Sequence, residues 1–424
     1  MKSFRLLRAQ RTRLKATGLL RQQRKFIATT SSRLQNSMGA HDEIIQTYVR
    51  PGAVHNVLTE NGCTFYTGVP DSLLKDFCSY LSDKVPPTRH VIAPNEGSSI
   101  ALAAGSYLAT GRTPLVYMQN SGIGNAINPL LSLADAKVYG IPMVVVVGWR
   151  GEPGRKDEPQ HNVQGSVMAG MLASMNLNFH VLPEYDEGAV ACVHESIKYA
   201  EEHHCPSVIV VRKGTFSPYT SETRETSFSS NAFSREDAIG VILEVIDEYD
   251  CVVGTTGFTS REIFETRDRK GHSHDNDFLT VGSMGHASSI ALGISIEKPY
   301  KKVYCIDGDG AFLMHLGNAA AVGVSGQKNY KHILINNGVH DSVGAQATSV
   351  SGMKFADVAK SLGYKYTDSV ETEDELRGAM KAFQDSVGPS FLEICTRAGA
   401  RGNLGRPNGT PAENKKRFMQ KLQM

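Results

Sequence analysis

The pentapeptide SSIAL occurs twice, at Ser98 and at Ser288, and each copy opens the same succession of elements. The first runs on as SSIALAAGSYLATGRTPLVYMQNSGIG and the second as SSIALGISIEKPYKKVYCIDGDG. In both, a helix pattern passes into a strand-forming run and then into a Gly-x-Gly turn. That turn is Gly122-Ile123-Gly124 in one copy and Gly308-Asp309-Gly310 in the other. Order, spacing and element type all repeat, so the chain predicts two α/β domains of shared plan. Only the second copy carries an acid in its turn.

The flanking sequence supports that class. From His41 onward, short β-rich runs alternate with helix-length segments such as DSLLKDFCSYLSD and SREDAIGVILEVIDEYD. CTFYTGV, RHVIAP, TPLVYMQ, PMVVVVGW and SVIVVRKG are candidate strands of the first half. CVVGTTG, FLTVGS, KVYCIDG, HILINNG and SFLEICT are those of the second. Several lack polar alternation, as expected of strands covered on both faces of a parallel sheet. The prediction is α/β, with two doubly wound parallel-sheet domains over residues 41–214 and 234–400. A polar Ser/Thr-rich linker, 215–233, joins them, and 401–424 forms a C-terminal tail.

Charge is unevenly spread. Ten of the 45 Lys and Arg fall in residues 1–38, which contain no acid, so 35 basic residues face 43 acidic ones in the remainder. That mildly acidic body argues against a nucleic-acid partner. The Arg-rich, acid-free start has the composition of a mitochondrial transit peptide, with a disordered basic tail on a cytoplasmic protein as the alternative. No apolar run reaches the roughly 18 residues of a membrane span. The seven cysteines lack metal or redox spacing and read as reduced, buried thiols.

The sharpest local question is the carboxylate of Asp309. In an open parallel sheet, ligands sit beyond the carboxyl ends of the strands. Glycines there admit a phosphate to the backbone, and a following helix N-terminus favours its charge. Asp309 would repel such a phosphate unless a hard divalent cation such as Mg2+ lay between them. A second oxygen donor follows after 25 intervening residues, 311–335, where Asn336-Asn337-Gly338 ends the next strand. An isolated Gly-Asp-Gly is commonly only a turn, but the pair one crossover apart is specific.

This pair resembles the diphosphate-binding signature of thiamine-diphosphate enzymes. The resemblance implies pyrimidine-binding and diphosphate-binding domains, with thiamine diphosphate and Mg2+ as cofactors. Gly308, Asp309 and Gly310 would form the diphosphate turn. Asp309, the side chain of Asn337 and the backbone carbonyl of Val339 would hold the metal. It also implies a glutamate in the other domain; Glu96, in RHVIAPNEGSSIALAAG, stands where that family places the residue bonded to N1′ of the aminopyrimidine. In LTVGSMGHAS, Gly282 would meet the 4′-amino group and Met284 would prop the bent cofactor. Thr256 and Gly257, in VVGTTGFTS, would lie near the diphosphate. In that family the two domains meet across a subunit boundary, which implies a homo-oligomer with active sites at the interface.

The segments TGVPDSLLKDF, MQNSGIGNAINPLLSLAD, GWRGEPGRKDEPQH, VGSMGHASSIALG and NNGVHDSVGAQ are similar to the phosphonopyruvate decarboxylases within that family. The implied substrate is a 2-oxo acid bearing a phosphonate. Ser72, Asn120, Ser121, Arg150, Arg155, Lys156, His161, His340 and Gln346 are substrate-side candidates, with the cations of the 150–161 loop set against Glu152, Asp157 and Glu158. His286 and His315 read equally well as satisfied histidines of a helix or the core. Sulfopyruvate decarboxylase is the nearest competing reading, followed by a carboligase of the acetolactate-forming kind, whose middle domain has no room here. A catalytically dead structural subunit is a further alternative, disfavoured by the presence of Glu96, Asp309 and Asn337.

Overall fold

Two six-stranded sheets, every neighbouring pair parallel, organise the chain. The computed structural model describes residues 47–221, 233–350 and 352–423. The segment read as a transit peptide, 1–38, and most of the expected linker lie outside these residues.

In the first sheet, β1 (Tyr66–Gly68), β2 (His90–Ile92), β3 (Leu115–Gln119), β4 (Met143–Gly148), β5 (Asn178–Val181) and β6 (Pro206–Val211) stand in the order β2-β1-β3-β4-β6-β5. The second sheet comprises β7 (Cys251–Gly254), β8 (Asp277–Leu279), β9 (Val303–Gly308), β10 (Tyr330–Asn336), β13 (Tyr366–Val370) and β14 (Ser390–Cys395). Its order is β13-β14-β10-β9-β7-β8. Numbered within its own domain and read from the other edge, that is the same order, so the SSIAL repeat reports a duplicated topology. Between β10 and β13 a small antiparallel pair is inserted, β11 (Val339–His340) with β12 (Gln346–Ala347).

The central strands β4, β6 and β10 are buried at every residue, which is why they read as unbroken apolar runs. β5 and β13 were not among the candidate strands. Each is the edge strand beside the last strand of its domain, and each leaves most of its residues at least partly solvated, so neither carries an apolar run. Apolar clusters cover both faces of each sheet.

Both ends of the predicted linker and tail regions are structured. Phe216 is buried and stacks on Phe77 of the first domain at 5.3 Å. The tail forms the helix Pro411–Gln423, which buries Phe418 against Phe278 and donates from Asn414 Nδ2 to the carbonyl of Asp277. All seven cysteines are free thiols, and none of the described helices is long and apolar enough to cross a membrane.

Candidate active site

The repeat places its two Gly-x-Gly turns at equivalent positions, beyond the third strand of each sheet. In the second domain β9 and β10 run side by side with Gly308 opposite Ile335, so their carboxyl ends bring Asp309 beside the Asn336-Asn337 turn. Asp309 is 3% exposed and accepts from Thr348 Oγ1 at 2.6 Å, while the Thr348 N–H donates to the carbonyl of Gly338 at 2.8 Å. Burial pushes the Asp309 carboxyl up to about 6, with the Thr348 bond opposing and the charge of Asp341 assisting. A nearly dry carboxylate with no cation beside it is what an oxygen-ligand metal site looks like from the protein side.

Asn337 is oriented by a chain of buried partners. Its Nδ2 donates to Asp341 Oδ2 at 2.7 Å, and Arg235 Nη1 donates to the same oxygen at 2.7 Å. Arg235 is held in turn by both oxygens of Glu262. Its Oδ1 accepts from the Val339 N–H at 3.2 Å, which fixes the orientation of the Asn337 amide. Asp309, Asn337 and the carbonyl of Val339 therefore fit a hard cation such as Mg2+. Thr348 and Arg235 were not anticipated, because their partners Asp309 and Asp341 lie far away in sequence, and Asp341, four residues after Asn337, reads as an ordinary turn acid.

In the first domain Glu96 is the first residue of the helix Glu96–Thr110, behind the N-cap Asn95. It is 5% exposed, and Oε2 accepts from Asn125 Nδ2 at 2.8 Å. Burial raises its pKa, and the Asn125 bond offsets part of the rise. The carboxyl lies so close over Gly122 that a Cβ there would stand 2.5 Å from Oε1. The first Gly-x-Gly turn is thus a cradle for Glu96, where the second carries its own acid.

The two domains face each other across a cleft of about 890 Å3, lined by Glu96, Thr256, Gly257, Gly282, Met284 and His340 among others. Met284 is presented by a tight turn in which Ser283 (φ 54°) and Gly285 (φ 83°) both take left-handed backbone. Gly257 (φ 99°) likewise needs glycine where the helix Phe258–Lys270 starts. The His340 ring, which lines the cleft, packs over Gly310, the residue after Asp309. One chain supplies both walls. Glu96 lines the cleft from the first domain, and Gly282, Met284 and His340 line it from the second.

The two halves match family models for the thiamine pyrophosphate enzymes. The N-terminal TPP binding domain aligns with residues 52–171 and the C-terminal TPP binding domain with residues 253–394. The chain is 33% identical over 383 residues to a phosphonopyruvate decarboxylase of Streptomyces viridochromogenes, covering 85% of this chain and 92% of that protein. It belongs to the phosphonopyruvate decarboxylase family of thiamine pyrophosphate enzymes. A second member, from Streptomyces hygroscopicus, is 34% identical over 379 residues, 85% of this chain and 91% of that one. A sulfopyruvate decarboxylase of Methanosarcina acetivorans is 26% identical over 395 residues, 87% and 96% of the two chains.

The thiamine pyrophosphate of that family finds a fitting cradle here, in the buried acid Glu96, the turn at Met284 and the glycines that keep the backbone open. The substrate-side candidates divide. Ser72, Ser121, Arg150, His161 and His340 line the cleft; Asn120 and Lys156 do not. Asn120 is spent on the backbone, bonding the carbonyl of Arg150 at 2.8 Å and its N–H at 3.2 Å. Lys156 is exposed on the outer side of its loop.

Arg150 is already neutralised, donating from Nε and Nη2 to both oxygens of Asp157 at 2.8 and 2.5 Å, and from Nη1 to Ser72 Oγ. Burial, with the Arg150 charge added, lowers His161 to about 4; burial also lowers His340 to about 4. Both are neutral near pH 7, so His161 does not supply the cationic grip expected of its loop. Gln346 is tied to the first domain through Lys75 and Ser79. His286 and His315 stack on each other at 4.3 Å along the cleft wall. Met314, a second methionine on the same wall, was missed because it follows the acidic turn inside what reads as a plain core helix.

Proposed function

We propose that the chain decarboxylates 3-phosphonopyruvate to phosphonoacetaldehyde and CO2, using thiamine diphosphate and Mg2+, as a carboxy-lyase of phosphonate biosynthesis. The observation that carries this reading is the shared cleft. Glu96 from one domain and Met284 from the other line it, in a chain alignable with phosphonopyruvate decarboxylases over most of its length. When bound, thiamine diphosphate supplies the electron sink for the carbon that loses CO2.

The protein's own residues do the rest. Glu96, its ionised form disfavoured by burial, would hold a proton at its carboxyl for the cofactor's aminopyrimidine, in a place shielded from bulk water. Met284 gives the ring system an apolar support. Asp309, Asn337 and the Val339 carbonyl would hold Mg2+, which would supply charge neutralisation for the cofactor's diphosphate. The neutral imidazoles of His161 and His340 offer hydrogen bonds to the 2-oxo acid without adding charge.

A competition assay tests the substrate. Phosphonopyruvate, sulfopyruvate and pyruvate supplied together to the cofactor-loaded protein should yield chiefly phosphonoacetaldehyde. A product mixture dominated by sulfoacetaldehyde would favour the second reading, which the sulfopyruvate decarboxylase relative supports.

Two further parts of the proposal rest on sequence. A homo-oligomer follows from the family resemblance and is checked by sedimentation, where a strictly monomeric active enzyme contradicts it. Mitochondrial import follows from the acid-free segment 1–38 and is checked by trimming on import into isolated mitochondria, where an untrimmed protein contradicts it.

A further inference from the structure

The cations expected to grip the substrate are spent elsewhere: Arg150 on Asp157, and Arg155 on Glu152 and Glu184. Three other guanidinium groups line the same cleft, none of them from the loop 150–161: Arg261, Arg406 and Arg417, the last of which faces Asp275 at 3.9 Å. Arg261 lies one turn into the helix Phe258–Lys270, whose N-terminal Thr256 and Gly257 also face the cleft. It is half-buried, with its guanidinium 5.5 Å over the Phe258 ring, and among the described residues it has neither a hydrogen-bond acceptor nor an ion-pair partner. Arg406 comes from the C-terminal segment and donates to Glu158 Oε1 at 2.6 Å.

Glu158 is thus the carboxylate between two guanidiniums, paired with Arg406, and among the described residues Arg261 has no carboxylate of its own within ion-pair distance. Burial and the nearby Arg406 both press Arg261 toward losing its charge, and Glu158 opposes them. A half-desolvated guanidinium without an anion is costly, and its planar fork suits a bidentate oxyanion such as a phosphonate.

We propose that Arg261, with Arg406 beside it, forms the subsite that takes the phosphonate group of the substrate.

This rests on the reaction proposed above and adds the residues that select for it. The chemistry favours the phosphonate over the carboxylate as the group bound. The carboxylate leaves as CO2, so a guanidinium fixed on it would stabilise the ground state. The phosphonate keeps its charge throughout, so holding it positions the keto carbon without opposing the reaction. Pyruvate offers only a methyl group there and would leave Arg261 unpaired, which is how a polar site rejects an analogue that lacks its partner. The competing occupant of similar chemistry is the cofactor's own diphosphate, and the test has to separate the two.

Arg261→Met and Arg261→Lys, made in the full chain, separate them. The ratio of kcat/KM for phosphonopyruvate to that for pyruvate should fall by about 10² in Arg261→Met, chiefly through KM, and by less in Arg261→Lys. Arg406→Ala should lower the same ratio by a smaller factor. Thiamine diphosphate affinity, read from quenching of the single tryptophan Trp149, should change little. Binding of phosphonoacetate to the cofactor-loaded protein should weaken in parallel with the ratio. An unchanged ratio overturns the proposal, as does a loss of cofactor affinity at constant ratio, which would assign Arg261 to the diphosphate. If the wild type turns over no phosphonopyruvate yet binds phosphonoacetate through Arg261, the subsite stands and the proposed reaction falls.

Discussion

Asp309 is the residue whose environment says most about what the chain lacks when it stands alone. Burial lifts its folded pKa from the ordinary 3.8 to about 6. Because the shift is upward, its stabilising contribution is complete at low pH and is lost as pH rises through 6. At pH 8 the charged form costs the cofactor-free protein about 3 kcal/mol. Asp309→Asn should therefore melt higher than the wild type at pH 8 without cofactors and at nearly the same temperature at pH 4. It should also lose the thermal shift that Mg2+ and thiamine diphosphate give the wild type. Equal melting at both pH values would show the carboxylate is not strained by burial. Magnesium affinity in the wild type should weaken about tenfold per unit below pH 6, as protons compete for the same oxygen.

Glu96 belongs to the same scale and differs in role. Glu96→Gln preserves size and an acceptor for Asn125 but cannot share a proton. Turnover should drop by about 10² to 10⁴ with cofactor affinity within a few-fold of wild type. Full turnover in that variant would remove Glu96 from the chemistry. Gly122→Ala places a methyl on the same carboxyl and should lower turnover without unfolding the domain, read as reduced kcat at unchanged melting temperature.

At the scale of elements, what was legible in the sequence is what local chemistry dictates. Fully buried strands such as β4 and β10 announce themselves because both faces must be apolar. The acid at Asp309 stands out because its counterpart turn at Gly122-Ile123-Gly124 does without one. β5 and β13 were not legible, since an edge strand with solvated side chains resembles a loop. Nor were the polar chains from Arg235 to Asn337, and from Asn125 to Glu96, because they join residues set far apart. The C-terminal helix was hidden by its charge, which the structure turns outward while Phe418 points in. Phe418→Ala should cost about 3–5 kcal/mol, seen as a lower melting temperature, if that helix is integral to the second domain. A silent substitution would show it is only loosely held.

For the whole molecule, duplication explains the architecture. Two copies of one strand order present their carboxyl ends to a common cleft, and each copy has specialised its Gly-x-Gly turn. One packs under the buried Glu96 and the other carries the buried Asp309. The most direct test is phosphorus NMR of phosphonopyruvate incubated with the purified chain, thiamine diphosphate and Mg2+. The account expects the substrate signal to be replaced by phosphonoacetaldehyde, with no conversion when either cofactor is omitted. An unchanged spectrum from protein shown to have bound both cofactors would contradict it.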